Sequence, residues 1–297
     1  MTLKLDGDLI LAGAGNMGGA MLTGWLGQGL DPKRIRVQDP APPPAIAALL
    51  QKHGIEAAAK LAPRSAPPAV LLMAVKPQIM DDVFPALAKI AGPDTVVLSI
   101  AAGKTIAGFE KHLAQNNPVK TIGVVRSIPN TPAAVGRGIT VAAANPHVTV
   151  KQKALCNALL AAIGEVAWVD DEALIDPVTA VSGSGPAYVF YLTECLAEAG
   201  IKAGLAPDLA HKLARWTVAG SGELLFRSDQ PADVLRRNVT SPNGTTFAAL
   251  QVLMVRVAAD PAKSDSFRAQ LSDFAGLMPV PRKTASARSL RPTGLRL

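Results

Sequence analysis

The chain has 297 residues, 49% of them hydrophobic and 18% charged, which is enough for two domains with real cores and excludes a natively unfolded chain. Its formal charge of +7 is uneven. Residues 255–297 hold eight of the 30 Lys/Arg and three of the 23 Asp/Glu, so the basic character belongs to a tail and gives no reason to expect nucleic acid on the folded body.

The first strong signal is an apolar run, 9–12, that ends in Gly13-Ala14-Gly15-Asn16-Met17-Gly18 and passes at once into an amphipathic stretch, 20–26. A strand, a glycine turn and a helix in this order predict dinucleotide binding. Gly13 permits the tight turn, Gly15 lets a pyrophosphate approach the backbone, and Gly18 lets the helix lie close to the strand. The helix start then offers free N–H groups to phosphate. Further β runs follow at 35–38, 69–75, 95–100 and 122–128, with helical stretches at 46–53, 78–91 and 106–115 between them. Three prolines, Pro42, Pro43 and Pro44, fit only the start of a helix. Two more strands, 139–143 and 166–169, bracket a helix at 150–163. This alternation predicts an α/β fold, a Rossmann-type doubly wound parallel sheet, over residues 1–170.

After Asp170 the pattern turns helical: 176–181, 186–203, 207–226 and 232–237, separated by short Gly/Pro breaks. A second, C-terminal all-α domain is expected over 171–254. The stretch 186–203 is apolar nearly all round, which predicts burial, either in the monomer core or against a second subunit. The most apolar long segment, 187–203, carries Glu194 and Glu198, so no membrane span is expected. No basic-then-apolar leader precedes the first strand. Cys156 and Cys195 read as buried free thiols of a reducing, cytoplasmic protein.

Asp39 closes the second strand, where an acid accepts hydrogen bonds from the adenine ribose and repels a 2′-phosphate. The cofactor is therefore NAD or NADP with a lean to NAD, although Arg34 and Arg36 stand close enough in sequence to meet a phosphate. Val75-Lys76-Pro77-Gln78 and Ser99-Ile100-Ala101-Ala102-Gly103 close two further strands, at the edge where open α/β sheets bind ligands. Small residues at Ala101, Ala102 and Gly103 would let a flat nicotinamide lie against backbone. Pro129-Asn130-Thr131-Pro132 is a third, rigid corner. In the helical half, 181–188 and 239–246 are small-residue, hydroxyl-bearing turns that open helices. Two such anion cradles opposite a cofactor fold suggest a carboxylate-bearing substrate.

Residues 13–19, 75–78, 99–103, 129–132, 182–188, 198–205 and 240–246, in this order and spacing, resemble pyrroline-5-carboxylate reductases over about residues 8–254. The resemblance implies NAD(P)H-dependent reduction of 1-pyrroline-5-carboxylate to L-proline, the last step of proline biosynthesis. It also implies a helical domain that interlocks with a second subunit to form a homo-oligomer. Carried over by motif, Gly15, Asn16 and Met17 line the cofactor phosphates, beside Gly13 and Gly18. Val75, Lys76, Pro77, Ala101 and Ala102 line the adenosine and nicotinamide region. Ser241, Gly244, Thr245 and Thr246 hold the substrate, with the Thr246 hydroxyl placed at the ring nitrogen as the catalytic group. Asn243 stands where the family usually has a second glycine; Asn is the side chain that best tolerates positive φ.

None of the four histidines, His53, His112, His147 and His211, lies in a motif, and no metal-ligand spacing is present. Hydride addition to a protonated imine asks mainly for positioning, which a threonine hydroxyl and backbone donors supply. The rivals are a Rossmann reductase of another cyclic imine or keto acid, and a non-catalytic nucleotide-binding paralogue. Past Met254 the resemblance stops abruptly. Residues 255–297 carry Pro261, Pro279, Pro281 and Pro292, with little apolar periodicity from 279 onward. This predicts a partly disordered tail and suggests either a change of reading frame in the coding sequence or a divergent basic tail.

Overall fold

The structure is a computed structural model and describes residues 3–62 and 64–253; the expectations for 255–297 lie outside them. Eight strands form one sheet: β1 (Leu9–Ala12), β2 (Ile35–Gln38), β3 (Glu56–Ala58), β4 (Val70–Met73), β5 (Val96–Ser99), β6 (Gly123–Ile128), β7 (Gly138–Ala144) and β8 (Gly164–Trp168). Their order is β3-β2-β1-β4-β5-β6-β7-β8. All neighbours run parallel except β6 and β7. The chain steps outward from β1 in both directions, so a switch point opens between β1 and β4, where such sheets bind ligands at the carboxyl ends of their strands.

Every residue of β1, β4 and β5 is buried. Alternate side chains feed two cores. Leu9, Leu11, Leu72 and Leu98 pack on one face with Trp25 of α1 (Asn16–Gly27), Leu50 of α2 (Pro44–His53) and Leu159 of α5 (Val150–Leu160). Ile10, Leu71 and Val97 pack on the other face with Phe84 of α3 (Met80–Ala88) and Phe109 of α4 (Ile106–Asn116), whose rings meet edge to face at 4.9 Å. This is the doubly wound α/β fold expected from the sequence. Element bounds differ from expectation by a few residues in either direction: α3 is shorter, α2 and β7 are longer and β8 starts earlier; α3 is preceded by a 3-10 turn, Pro77–Ile79.

Strand β3 was not foreseen. Glu-Ala-Ala has helical propensity; the strand exists because Arg36 of β2 lies in register with Glu56 and binds it through two hydrogen bonds of 2.7 and 2.8 Å.

Beyond the sheet come α6 (Ile175–Val178), α7 (Gly185–Lys202), α8 (Pro207–Arg227), α9 (Ala232–Asn238) and α10 (Thr245–Leu253). The expected loop before α7 is instead a π-helical turn, Thr179–Gly183, that follows α6 directly and is separated from α7 by Ser184 alone. Helices α7 and α8 pack through small residues, with Ala197, Ala210 and Ala214 buried. The expected burial of 186–203 is not met within one chain. On α7, Phe190 and Tyr191 are 62% and 67% exposed, and Trp216 of α8 is 71% exposed. Only the subunit-interface half of that expectation therefore stands. Cys195, expected buried, is exposed on the same helix, whereas Cys156 is buried under the sheet. Among the described residues, no helix is long and apolar enough to cross a membrane.

Candidate functional site

The glycine turn sits at the switch point, and each glycine has a separate geometric reason. Gly13 has φ +92°, and a Cβ there would stand 2.8 Å from the backbone of Ala74 and Val75. A Cβ on Gly18 would stand 2.2 Å from the Gly13 carbonyl oxygen, so the start of α1 touches the turn itself. Gly15 has no neighbour within 4 Å of where a Cβ would be. It caps α1 without a side-chain bond, and the first amides of the helix, from Asn16 and Met17 to Gly18, have no carbonyl within the helix to bind. An open surface lined by helix-start amides is an anion cradle that fits a pyrophosphate.

The other sheet-edge candidates converge on this turn. Gly13 N–H donates to Gln38 O at 2.9 Å, and Ala74 N–H donates to Ala12 O at 2.8 Å. Thus Val75, Lys76 and Pro77 leave β4 beside the glycines. Ile100 N–H donates to Met73 O at 3.1 Å, which sets Ala101, buried, and Ala102, exposed, next in line. Asp39 lies at the end of β2, its carboxylate bonded to Ala14 N–H at 2.7 Å and to Ala41 N–H at 2.9 Å. Sequence reasoning missed both of these bonds. Of the two nearby cations, Arg36 is 3% exposed and engaged by Glu56 and by the Ala62 carbonyl, and Arg34 precedes β2 at the amino end of the sheet.

Side chains also tie the helical half to this edge. Arg126 of β6 binds Glu172 at 3.0 Å and Asp176 at 3.3 Å, and Glu172 accepts from Ile106 N–H at 2.9 Å as well. Asn130 donates to the Ser182 carbonyl in the π turn at 3.2 Å and accepts from Ile139 N–H at 3.0 Å. Arg137 stacks 3.9 Å above the Phe226 ring of α8. These pairs are far apart in sequence, and only the charged residue in an otherwise apolar strand, Arg126, carried a hint of one.

The 240–246 loop is built locally. Thr240 Oγ1 donates to Arg236 O at 2.7 Å, and Gly244 N–H donates to Ser241 O at 3.1 Å. Asn243 has φ +59°, the left-handed backbone expected of it. Ser241 and Thr245 are exposed, while Gly244 and Thr246 are half-buried. No hydrogen bond or ion pair among the described residues joins this loop to the sheet edge of the same chain. No group of three or more His, Cys, Asp or Glu among them could hold a metal ion. A cavity of about 1170 Å³ opens at the amino end of the sheet, between Pro67, Pro93 and Leu155, away from all the candidates above. Of its polar lining residues, Thr95 and Gln152 are already hydrogen-bonded within the fold.

Residues 172–263 match the family model described as pyrroline-5-carboxylate reductase dimerisation, and residues 9–103 match NADP oxidoreductase coenzyme F420-dependent. The first match runs nine residues past Met254, where the motif resemblance was expected to end. The pyrroline-5-carboxylate reductase of Pseudomonas aeruginosa is 41% identical over 80% of this chain and 85% of its own length. The structure of a pyrroline-5-carboxylate reductase from Coxiella burnetii superposes with a TM-score of 0.79 at 31% identity, covering 92% of this chain and 96% of that one. Plasmodium falciparum pyrroline carboxylate reductase, solved with NADP bound, gives 0.70 at 26% identity over 91% and 95%.

Proposed function

The chain belongs to the pyrroline-5-carboxylate reductase family, and from that premise we propose how its parts divide the work of reducing 1-pyrroline-5-carboxylate to L-proline with a nicotinamide cofactor. The reduced nicotinamide, when bound, supplies the hydride that adds to the imine carbon, while the ring nitrogen ends protonated. Gly13, Gly15, Asn16, Met17 and Gly18 receive the pyrophosphate, and Asp39 faces the adenine ribose. Val75, Lys76, Pro77, Ala101 and Ala102 flank the rest of the cofactor along the sheet edge. Ser241, Gly244 and Thr245 hold the substrate carboxylate, and the Thr246 hydroxyl orients the ring nitrogen. Orientation is the main demand, because an imine that arrives protonated needs no strong acid from the protein.

The single observation that carries the cofactor half is the open space at Gly15 beside an uncapped helix start, at the switch point of the sheet. A lean to NADH over NADPH rests on the Asp39 carboxylate and on the engagement of Arg36 elsewhere. The exposed apolar side chains of α7 and α8 support self-association through the helical half.

The test is turnover by the purified full chain. Cofactor oxidation is followed with 1-pyrroline-5-carboxylate and each of NADH and NADPH, and the product is identified as proline. A six-membered cyclic imine and a keto acid serve as competitors. A folded protein that binds NADH yet forms no proline removes this assignment.

A further inference from the structure

We infer that Asp39 is a positioning residue for the glycine turn, a brace that holds the Ala14 amide and so fixes the pyrophosphate cradle, in addition to facing the ribose. The inference deepens the cofactor assignment above and rests on it. A carboxylate devoted to the ribose would leave its oxygens to the ligand. Here Oδ2 accepts from Ala14 N–H at 2.7 Å across 25 residues of sequence, and Oδ1 accepts from Ala41 N–H at 2.9 Å. The backbone supports the same joint: Gly13 N–H donates to Gln38 O at 2.9 Å, and Asp39 N–H donates to Ala58 O at 3.0 Å. Consecutive amides of the turn, Gly13 and Ala14, are thus both pinned to the end of β2.

Burial makes the second pin necessary. Ala14 is 0% exposed, so water cannot reach its amide, and a buried N–H without an acceptor is strongly unfavourable. The chain turns back at Gly13 with φ +92°, which carries the Ala14 amide past the last carbonyl that β1's neighbours offer. Immediately downstream are Gly15 and the free amides of Asn16 and Met17. Their aim depends on the two residues before them. Each Asp39 oxygen still has a second lone pair, so a ribose hydroxyl can be accepted without breaking the brace. The two roles therefore separate by ligand: loss of the ribose contact is felt only by ligands that have ribose hydroxyls, whereas loss of the brace is felt by any ligand with a pyrophosphate.

The experiment uses the full-length protein and Asp39→Asn, with NADH and 2′,3′-dideoxyadenosine 5′-diphosphate as titrants. The dideoxy probe keeps adenine and the diphosphate and lacks both hydroxyls. Asparagine is nearly isosteric but offers one acceptor and one donor, so whichever way it sits, one of the two amides faces an N–H. The brace predicts about a tenfold weaker affinity for the dideoxy probe, and faster hydrogen exchange in the peptide spanning 9–17, with exchange in β4 and β5 unchanged. Asp39→Ala, which removes both acceptors, must weaken the probe at least as much. Wild-type affinity for the dideoxy probe in both variants, with NADH alone weakened, overturns the brace and leaves Asp39 a ribose acceptor. Failure of the wild type to bind NADH is a different result: it removes the cofactor assignment and this proposal with it.

Discussion

Gly15 and Gly18 stand three residues apart in one motif, yet substitution by alanine should act on different quantities. At Gly18 the new Cβ would lie 2.2 Å from the carbonyl oxygen of Gly13, a backbone atom that no rotamer change can move. The start of α1 must withdraw by about an ångström from a turn that is itself pinned to β2 and β4. Overpacking of this kind costs roughly 1–3 kcal/mol, or a fall in Tm of about 2–4 °C per kcal/mol for a domain of this size. At Gly15 the Cβ meets nothing, and φ −68° with ψ −158° is open to any residue. Alanine there is a slightly poorer cap than glycine but loses less chain entropy on folding, so stability should move by no more than about 0.5 kcal/mol. Its methyl group nevertheless stands where the pyrophosphate must approach, and NADH affinity should fall about tenfold or more, about 1.4 kcal/mol. The assays are thermal unfolding without ligand and NADH titration by fluorescence, run on both variants. Gly15→Ala with wild-type NADH affinity, or with a loss of stability equal to that of Gly18→Ala, would refute the division of roles.

Thr246→Val keeps shape and deletes the hydroxyl; kcat should fall roughly tenfold or more with NADH affinity unchanged, and a wild-type kcat would remove Thr246 from the mechanism. Arg126→Met leaves Glu172 and Asp176 without their shared cation; because both carboxylates keep some contact with water, the loss should be about 2 kcal/mol in urea unfolding, and no change would show the joint to be incidental. The Arg36 hydrogen bond holds the Glu56 carboxyl below its ordinary value of 4.5, so its stabilising contribution is full above that pH and is lost as the pH falls through the depressed value. Glu56→Gln should flatten that acid limb of the stability curve, and an unchanged limb would mean that other carboxylates govern it. Burial pushes the Cys156 thiol up to about 12, so a thiol reagent at neutral pH should leave it untouched while modifying Cys195 in any free monomer. Protection of Cys195 at high protein concentration would report self-association through α7, and full reactivity at every concentration would count against it.

Where a property depends on neighbours along the chain, the sequence determined it. Four apolar residues followed by Gly13, Gly15 and Gly18 can hardly be anything but a strand, a turn and a helix, because each glycine answers a local steric demand. The alternation of short apolar runs with amphipathic helices likewise forces a sheet buried on both faces, and Asn243 adopts the left-handed backbone its short amide tolerates. What the tertiary structure decided are the pairings of residues distant in sequence. Glu56–Ala58 is a strand only because Arg36 waits in register beside it. The small residues at 179–183 form a π turn rather than a loop, with Asn130 and Tyr188 holding two of its carbonyls. The carboxylate of Asp39 looked like a ligand group, yet it already accepts two amides. Helix α7, apolar nearly all round, stays largely exposed in a single chain, because α8 covers only its small-residue side. In each case the sequence supplies a residue with an unsatisfied tendency, to bond a charge or to leave water, and only the folded arrangement names the partner that satisfies it.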